Sequence, residues 1–192
     1  EVASRLLDPH DLDSLLMADG CGATIVSFNS DHNKGIISHA SFSHTENDLH
    51  NITMGSSLNK EAIGDCFFKM NGKKVYKYAT TWLPQVIKQA MDKVNINPKD
   101  VDYFFFHQAN GKMLKVIASN LMKLYHIDDE NDESKIPMSI EFLGNTSVAT
   151  IPTLFDLVNK NKMEGFKLAK NQTYVFASVG AGMHCNSVVY KS

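Results

Sequence analysis

The sequence is poor in cysteine, has little net charge and contains no long apolar run. Its three cysteines, Cys21, Cys66 and Cys185, are far apart and form no Cys-x-x-Cys pair, which argues against a disulfide framework or a cysteine-based zinc site. Reduced, scattered thiols are typical of the cytoplasm, the compartment we predict. The formal net charge of -2 gives no whole-chain basis for binding nucleic acid or a membrane surface, and no apolar run approaches the roughly 20 residues that cross a bilayer.

Histidine offers one candidate metal site. His39, His44 and His50 lie in a polar stretch rich in Ser and Asn. Their spacing lacks the regular ligand pattern of zinc motifs, and no cysteine lies nearby. We therefore predict neither a metal nor another cofactor.

The apolar pattern predicts a layered α/β fold. Residues 15–28 are two apolar runs broken by a glycine-rich segment at 19–22, which predicts two buried strands joined by a tight turn. The polar stretch 29–60 predicts an excursion over the surface. Further predictions are helices at 82–94 and 113–124, an acidic loop at 128–133, a helix with Pro152 in its first turn, and strands at 101–106, 136–142, 173–179 and 186–190. Their order, β-α-β-α-β-α-β-β, is typical of layered α/β proteins.

Three segments carry candidate chemistry. His107 follows a buried strand, a position that ligands favour in α/β sheets, although a lone histidine there is more often structural. Asn145 offers an uncharged amide donor, but its segment 144–147 equally suits a turn and a helix cap. The small residues of 178–183 suit a simple hairpin, or allow backbone N–H groups to approach a ligand as an oxyanion hole requires.

Together and in this order, these segments closely resemble the β-ketoacyl-[acyl carrier protein] synthase III family of the thiolase-like superfamily. The family's motifs stand here as His-Gln-Ala-Asn at 107–110, Gly-Asn-Thr-Ser at 144–147 and Gly-x-Gly at 180–182. Residues 19–23 resemble its Gly-Asp-Gly-Ala-Gly-Ala segment, and residues 68–77 resemble the start of its second half. The resemblance implies a thiolase-like layered fold, with 1–70 as the end of the N-terminal half and a connecting excursion, and 71–192 as the C-terminal half.

The resemblance also implies a reaction, a decarboxylative condensation of an acyl thioester with malonyl-carrier protein. His107 and Asn145 correspond to the two neutral donors that stabilise the malonyl enolate. The backbone around Ala181 corresponds to part of a second oxyanion hole, and Asn110 to a residue that binds the pantetheine arm. Two basic positions, Lys77 and Lys112, are expected to meet the acidic acyl carrier protein. The family further implies a homodimer for the intact enzyme.

The family's nucleophilic cysteine is expected upstream of Asp19, before the first residue of this sequence. By the resemblance, none of Cys21, Cys66 and Cys185 inherits that role. We therefore expect this polypeptide, taken alone, to be catalytically inactive.

Two departures from the family leave alternatives open. Asp11 lies near the position where many members carry an arginine that stacks on the adenine of coenzyme A, and Val179 replaces a common phenylalanine. These changes are compatible with a specialised condensing enzyme that joins two acyl chains into a secondary metabolite. A third possibility is a non-catalytic subunit that pairs with a cysteine-bearing partner, although His107 and Asn145 are both present.

Overall fold

The computed structural model describes residues 2–63, 66–127 and 133–192. Its strands are β1 (Gly35–Ser43), β2 (Ile52–Gly55), β3 (Phe67–Met70), β4 (Tyr103–Phe106), β5 (Thr173–Gly180) and β6 (His184–Lys191). Its α-helices are α1 (Thr45–Asp48), α2 (Gly72–Asp92), α3 (Gly111–Leu124), α4 (Ile140–Leu143) and α5 (Thr150–Asn159). Short 3-10 turns occur at Ala3–Leu6, Leu12–Leu16, Leu49–Asn51, Pro98–Asp100, Glu133–Lys135 and Ser147–Ala149.

The main sheet is mixed and has the strand order β1-β6-β5-β4. Strands β4 and β5 run parallel, whereas β5–β6 and β6–β1 are antiparallel. A separate hairpin pairs β2 with β3. Because β4 and β5 are parallel, their carboxyl ends meet at one edge of the sheet, and the loops that follow them are brought together there.

Helices cover both faces of the sheet, as the layered α/β prediction requires. The aromatic run of β4 shows why: Phe104 and Phe106 point to the face covered by α2 and α3, and Phe105 points to the face covered by α5. All three rings are buried. The α5 face adds Leu154 and Val158, at the four-residue spacing of a helix.

Helix α2 begins ten residues before the predicted start, at Gly72, so Pro84 lies in its interior and not in its first turn. A proline there removes the N–H that would bond the carbonyl of Thr80, four residues earlier. The side-chain amide of Asn120 on α3 donates to that carbonyl at 2.9 Å. A neighbouring helix therefore replaces the missing hydrogen bond, which explains how the proline is accommodated.

The predicted strands at 15–28 are wrong. Within this stretch Leu15 and Leu16 end a 3-10 turn, and Met17 forms a single bridge, to Asn145. The rest is irregular and largely exposed, with Ile25 at 98% and Phe28 at 89%. The chain instead runs over the segment that leads into α5, where a Cβ on Gly20 would come within 2.6 Å of the Cβ of Thr146. Here glycine allows close approach of two segments and does not make a turn between strands.

Two other element predictions need correction. The surface excursion at 29–60 contains β1, a full strand of the main sheet. The predicted strand at 136–142 is instead an irregular segment followed by the short helix α4. Pro137 has no N–H to give to a ladder, and the N–H groups of Ser139 and Ile140 donate to a glutamine side chain. The predicted acidic loop lies outside the described residues except for Glu133.

Ion pairs with little exposure to solvent connect the N-terminal segment, around Asp8 and Asp11, to the β2–β3 hairpin. Lys69 bridges Asp8 at 2.6 Å and Asp11 at 3.0 Å, and Asp8 also accepts from the N–H of Leu58 and the hydroxyl of Ser57. Burial by itself raises the pKa of Asp8, but these partners hold that pKa well below its ordinary value. Asp11, like Asp8, therefore forms an ion pair with Lys69.

The division of the chain at residue 70 stays a prediction; β1, before it, pairs with β6, after it. Across the described ranges, no helix combines the length and apolarity that a membrane crossing needs. Those same ranges bring no three His, Cys, Asp or Glu side chains together as metal ligands, and His39, His44 and His50 form no such group.

Candidate active site

A cleft of about 520 Å³ opens at the carboxyl ends of β4 and β5. Its lining residues come from six parts of the chain: residues within 13–17, 68–76, 107–113, 145–151 and 178–186, and Ile52. His107, Asn145 and Ala181 all line it, as the sequence predicted for residues of one site. The three motifs are therefore brought to a single cavity, although 74 residues of numbering separate His107 from Ala181.

His107 is held at the floor of this cleft. Its backbone N–H donates to the carbonyl of Ala177 on β5 at 2.9 Å, which extends the sheet by one bond. Its ring atom Nδ1 lies 2.7 Å from the hydroxyl of Thr150, leaving Nε2 as the nitrogen available to a ligand. Burial lowers the pKa of His107 to about 4, partly opposed by the Ser147 carbonyl. The imidazole is therefore neutral near pH 7 and carries one proton.

Asn145 is fixed through both its backbone and its side chain. Its N–H donates to the carbonyl of Leu16 at 2.9 Å, and its carbonyl accepts from Ala18 at 2.8 Å. The side-chain oxygen accepts from the N–H of Ser147 at 2.9 Å. The preceding Gly144 adopts φ +69°, a conformation that glycine provides without strain. With the oxygen occupied, the amide NH₂ is the end of the side chain available to a ligand.

Gln108 connects the two motifs, a role that the sequence analysis missed. This side chain is fully buried. Its amide NH₂ donates to the carbonyl of Phe106 at 2.9 Å, and its oxygen accepts from the N–H groups of Ser139 at 2.8 Å and Ile140 at 3.2 Å. It thereby holds the end of β4 to the segment that leads into Asn145. A polar amide side chain two residues past the end of a buried apolar strand is the one sequence signal for such a clamp, because a buried amide must find partners.

The turn around Ala181 connects β5 to β6. Gly182 and Met183 both have positive φ, +74° and +53°, and Met183 is fully buried. The Met183 carbonyl accepts from the Tyr78 hydroxyl at 2.6 Å and from the N–H of His44 at 3.1 Å. Burial raises the pKa of Tyr78, so it stays a protonated donor. This anchoring holds the tight turn with exposed Ala181 at the cleft.

The other predicted binding residues lie around the cleft. Asn110 lines it and caps α3, its side-chain oxygen accepting from the N–H groups of Lys112 at 3.0 Å and Met113 at 3.3 Å. With that oxygen occupied by the cap, the NH₂ group of Asn110 is left for a ligand, whereas neither side-chain hydroxyl of 144–147 caps the turn or helix that follows it. Lys77 and Lys112 are exposed and are not among the lining residues, although Tyr76 and Met113, their neighbours in sequence, are.

No cysteine of the sequence lies at the cleft. All three are described and free; Cys21 and Cys66 are exposed and Cys185 is buried, and none is among the lining residues. Burial raises the pKa of Cys185 to about 12, against a smaller opposing effect from the Tyr78 hydroxyl. This thiol therefore does not form the thiolate that a nucleophile requires.

Comparisons with known proteins agree with the geometry. Residues 91–192 match the family model for the 3-oxoacyl-[acyl-carrier-protein (ACP)] synthase III C-terminal region. The chain is 32% identical over 200 residues to the beta-ketoacyl-[acyl-carrier-protein] synthase III of Porphyra umbilicalis, covering 100% of this chain and 57% of that protein. It is 33% identical over 186 residues to the enzyme of the same name from Ehrlichia chaffeensis, covering 95% of this chain and 53% of that protein.

The fold agrees as well. The crystal structure of 3-oxoacyl-(acyl carrier protein) synthase III from Pseudomonas aeruginosa superimposes with a TM-score of 0.75 and 21% identity, over 98% of this chain and 55% of that one. The chain thus spans somewhat over half the length of the relatives it matches. The predicted thiolase-like fold is confirmed, and the chain belongs to the 3-oxoacyl-[acyl-carrier-protein] synthase III family.

Proposed function

We propose that the protein catalyses decarboxylative Claisen condensation of an acyl thioester with a malonyl thioester carried on acyl carrier protein, in fatty acid biosynthesis. The observation that carries the proposal is the convergence of two uncharged donors, His107 and Asn145, on one cleft. Each has its other polar atom occupied by the protein. Each therefore has one side-chain nitrogen available to bond the same substrate oxygen.

The chemistry follows from the charge that develops. Loss of carbon dioxide breaks the bond between the malonyl carboxyl carbon and the α-carbon, and the electron pair passes onto the thioester oxygen as an enolate. Donors fixed in advance stabilise this charge without reorganisation. The α-carbon then attacks the carbonyl of an acyl group held on a cysteine; the new carbon–carbon bond forms and the cysteine thiolate leaves. The backbone at Ala181 is suited to stabilise the oxyanion of this second step.

The proposal places the nucleophilic cysteine outside these 192 residues. This rests on Cys185, whose burial and raised pKa oppose ionisation, and on Cys21 and Cys66, which are not among the residues that line the cleft. A polypeptide made of these residues alone is accordingly expected not to accept an acyl group.

We further propose that the carrier protein docks at Lys77 and Lys112. Both side chains are exposed, and no salt bridge involves either of them within the ranges that the structure describes. Each is adjacent in sequence to a residue of the cleft wall. Their positive charge suits the acidic carrier, and Asn110 then lies where the pantetheine arm enters the cleft.

Family membership favours this reaction over a secondary-metabolite condensation, because the compared relatives above 30% identity are named synthase III. A homodimer and a cytoplasmic location belong to the proposal too. Large apolar side chains outside the cleft, such as Leu12 (81% exposed) and Ile25 (98% exposed), support an interface. Three free cysteines support a reducing compartment.

The test is release of carbon dioxide from malonyl-carrier protein by the intact natural protein. His107→Ala and Asn145→Ala should each lower the rate about 100- to 1,000-fold, the usual effect of removing one oxyanion donor. His39→Ala is the matched control, since this histidine is exposed on β1 and outside the cleft. If both cleft variants stay folded and lose less than about 10-fold, the donor assignment is wrong.

Carrier docking is tested by charge reversal. Lys77→Glu and Lys112→Glu should raise KM for malonyl-carrier protein more than KM for malonyl-coenzyme A, because the carrier presents an extended acidic protein surface and coenzyme A presents only its phosphates. Lys123→Glu is a control on the same helix as Lys112, eleven positions away and about 16 Å along the axis. If all three substitutions raise KM equally, the effect is one of net charge, and the assignment of Lys77 and Lys112 as docking residues is wrong.

A further inference from the structure

The hydroxyl of Thr150 has one proton and two acceptors within reach. Its Oγ1 lies 2.7 Å from Nδ1 of His107 and 2.9 Å from the carbonyl oxygen of Ser147. Thr150 is the first residue of α5 and only 3% exposed. Water therefore does not compete readily for this hydroxyl, and its single proton is given to one of these two protein acceptors.

The choice of acceptor determines which ring nitrogen of His107 carries the proton. If the hydroxyl donates to Ser147, then Nδ1 must carry a proton and donate it to Thr150, and Nε2 is left bare. If the hydroxyl donates to Nδ1, the imidazole proton lies on Nε2. A neutral ring has only one such proton, so the two arrangements exclude each other.

The Thr150 hydroxyl can donate to Nδ1 without leaving the Ser147 carbonyl unpaired. The Ser147 carbonyl already accepts from the backbone N–H of Thr150, so it keeps a partner when the hydroxyl turns to the histidine. Nδ1 then accepts from Thr150, and Nε2–H remains for the cleft that His107 lines. Every buried polar group at this point is paired, and the side chain of His107 becomes a donor.

We propose that Thr150 is a positioning residue that donates its hydroxyl hydrogen to Nδ1 of His107 and thereby keeps the imidazole proton on Nε2. This inference rests on the proposed function, because a bare Nε2 cannot donate to the malonyl thioester oxygen. It gives Thr150 a role beyond starting α5: the residue fixes both the orientation and the protonated atom of His107.

The substitutions Thr150→Val and Thr150→Ser separate this role from packing. Valine keeps the shape of threonine and removes the hydroxyl, so Nδ1 loses its hydrogen-bond donor and the ring proton is no longer confined to Nε2. We expect kcat for malonyl decarboxylation to fall about 10- to 100-fold with KM little changed. Serine restores the donor and should restore kcat to within a few-fold of the natural protein.

Thr80→Val is the matched control. Thr80 is also a nearly buried helical threonine whose hydroxyl donates to a backbone carbonyl in the preceding turn, at 2.9 Å to Tyr76. It does not line the cleft. Its replacement should cost stability comparable to that lost in Thr150→Val and leave kcat unchanged.

The direct measurement is nitrogen NMR of the intact protein labelled with ¹³C,¹⁵N-histidine, with the His107 signals assigned by their loss in His107→Gln. We expect the proton on Nε2 in the natural protein and in Thr150→Ser, and a shift toward Nδ1 in Thr150→Val. A proton on Nδ1 in the natural protein, or unchanged tautomer and kcat in Thr150→Val, would overturn the inference. Absence of malonyl decarboxylation by the natural protein would instead defeat the proposed function, while the tautomer measurement would still decide the role of Thr150.

Discussion

Replacing Gln108 by methionine tests whether a buried clamp holds the two donors together. Methionine has nearly the same length and volume but cannot accept the two N–H groups that Gln108 binds. Ser139 is buried, so its N–H loses its partner without access to water, at a cost of about 1 to 3 kcal/mol. Ile140 is half-buried, so its N–H is partly rehydrated and adds about 1 kcal/mol. The expected total is about 2 to 4 kcal/mol.

Urea denaturation of the intact protein measures this loss as a lower midpoint at unchanged slope. Gln85→Met is the control, because that side chain is exposed on α2 and makes one long bond, 3.4 Å to the Thr81 carbonyl. Malonyl decarboxylation should fall in Gln108→Met as well, since Asn145 follows the released segment. A destabilisation below about 1 kcal/mol, or a folded variant with full activity, would refute the clamp.

Two further predictions concern stability. The folded pKa of His107, about 4, lies below its ordinary 6.5, so the unfolded chain binds the extra proton between these values. His107 therefore contributes about 3 kcal/mol to the free energy of unfolding above about pH 6.5, and this contribution is lost as the pH falls to about 4. Urea denaturation at each pH measures the loss, which should be smaller in His107→Gln. Asn120→Leu should cost about 1 to 3 kcal/mol because the Thr80 carbonyl loses its partner. In a Pro84→Ala background the restored helical N–H can bond that carbonyl, so the same substitution should cost less than about 1 kcal/mol; an equal cost in both backgrounds would contradict this account of the proline.

The local sequence pattern predicted correctly those helices and strands that have a regular spacing of apolar residues or a dense apolar run. The apolar spacing in 113–124 predicted α3, and Pro152 was correctly placed in the first turn of α5. The dense aromatic run before His107 predicted β4, although the strand begins two residues later than expected, at Tyr103. In these cases burial of one face is enough to select the secondary structure.

The family, too, was evident from the sequence alone, because its motifs are short, contiguous and ordered. Each motif consists of three or four consecutive residues, at 107–110, 144–147 and 180–182, so it can be identified without knowledge of the fold. What each side chain does in those motifs was not readable in the same way. Asn110 both caps a helix and lines the cleft, and nothing in its sequence neighbours separates these roles.

Only the tertiary structure decided the elements whose hydrogen-bond partners are distant. The apolar stretch at 15–28 has strand composition but pairs only at Met17, and the polar residues of β1 become a strand because β6 offers an edge. The same holds for the site. Thr150 lies 43 positions from His107, and Gln108 lies 31 positions from Ser139. The sequence determined which groups were present; the fold decided which of their atoms are occupied and which remain for a substrate, because a hydrogen bond depends on distance in space and not along the chain.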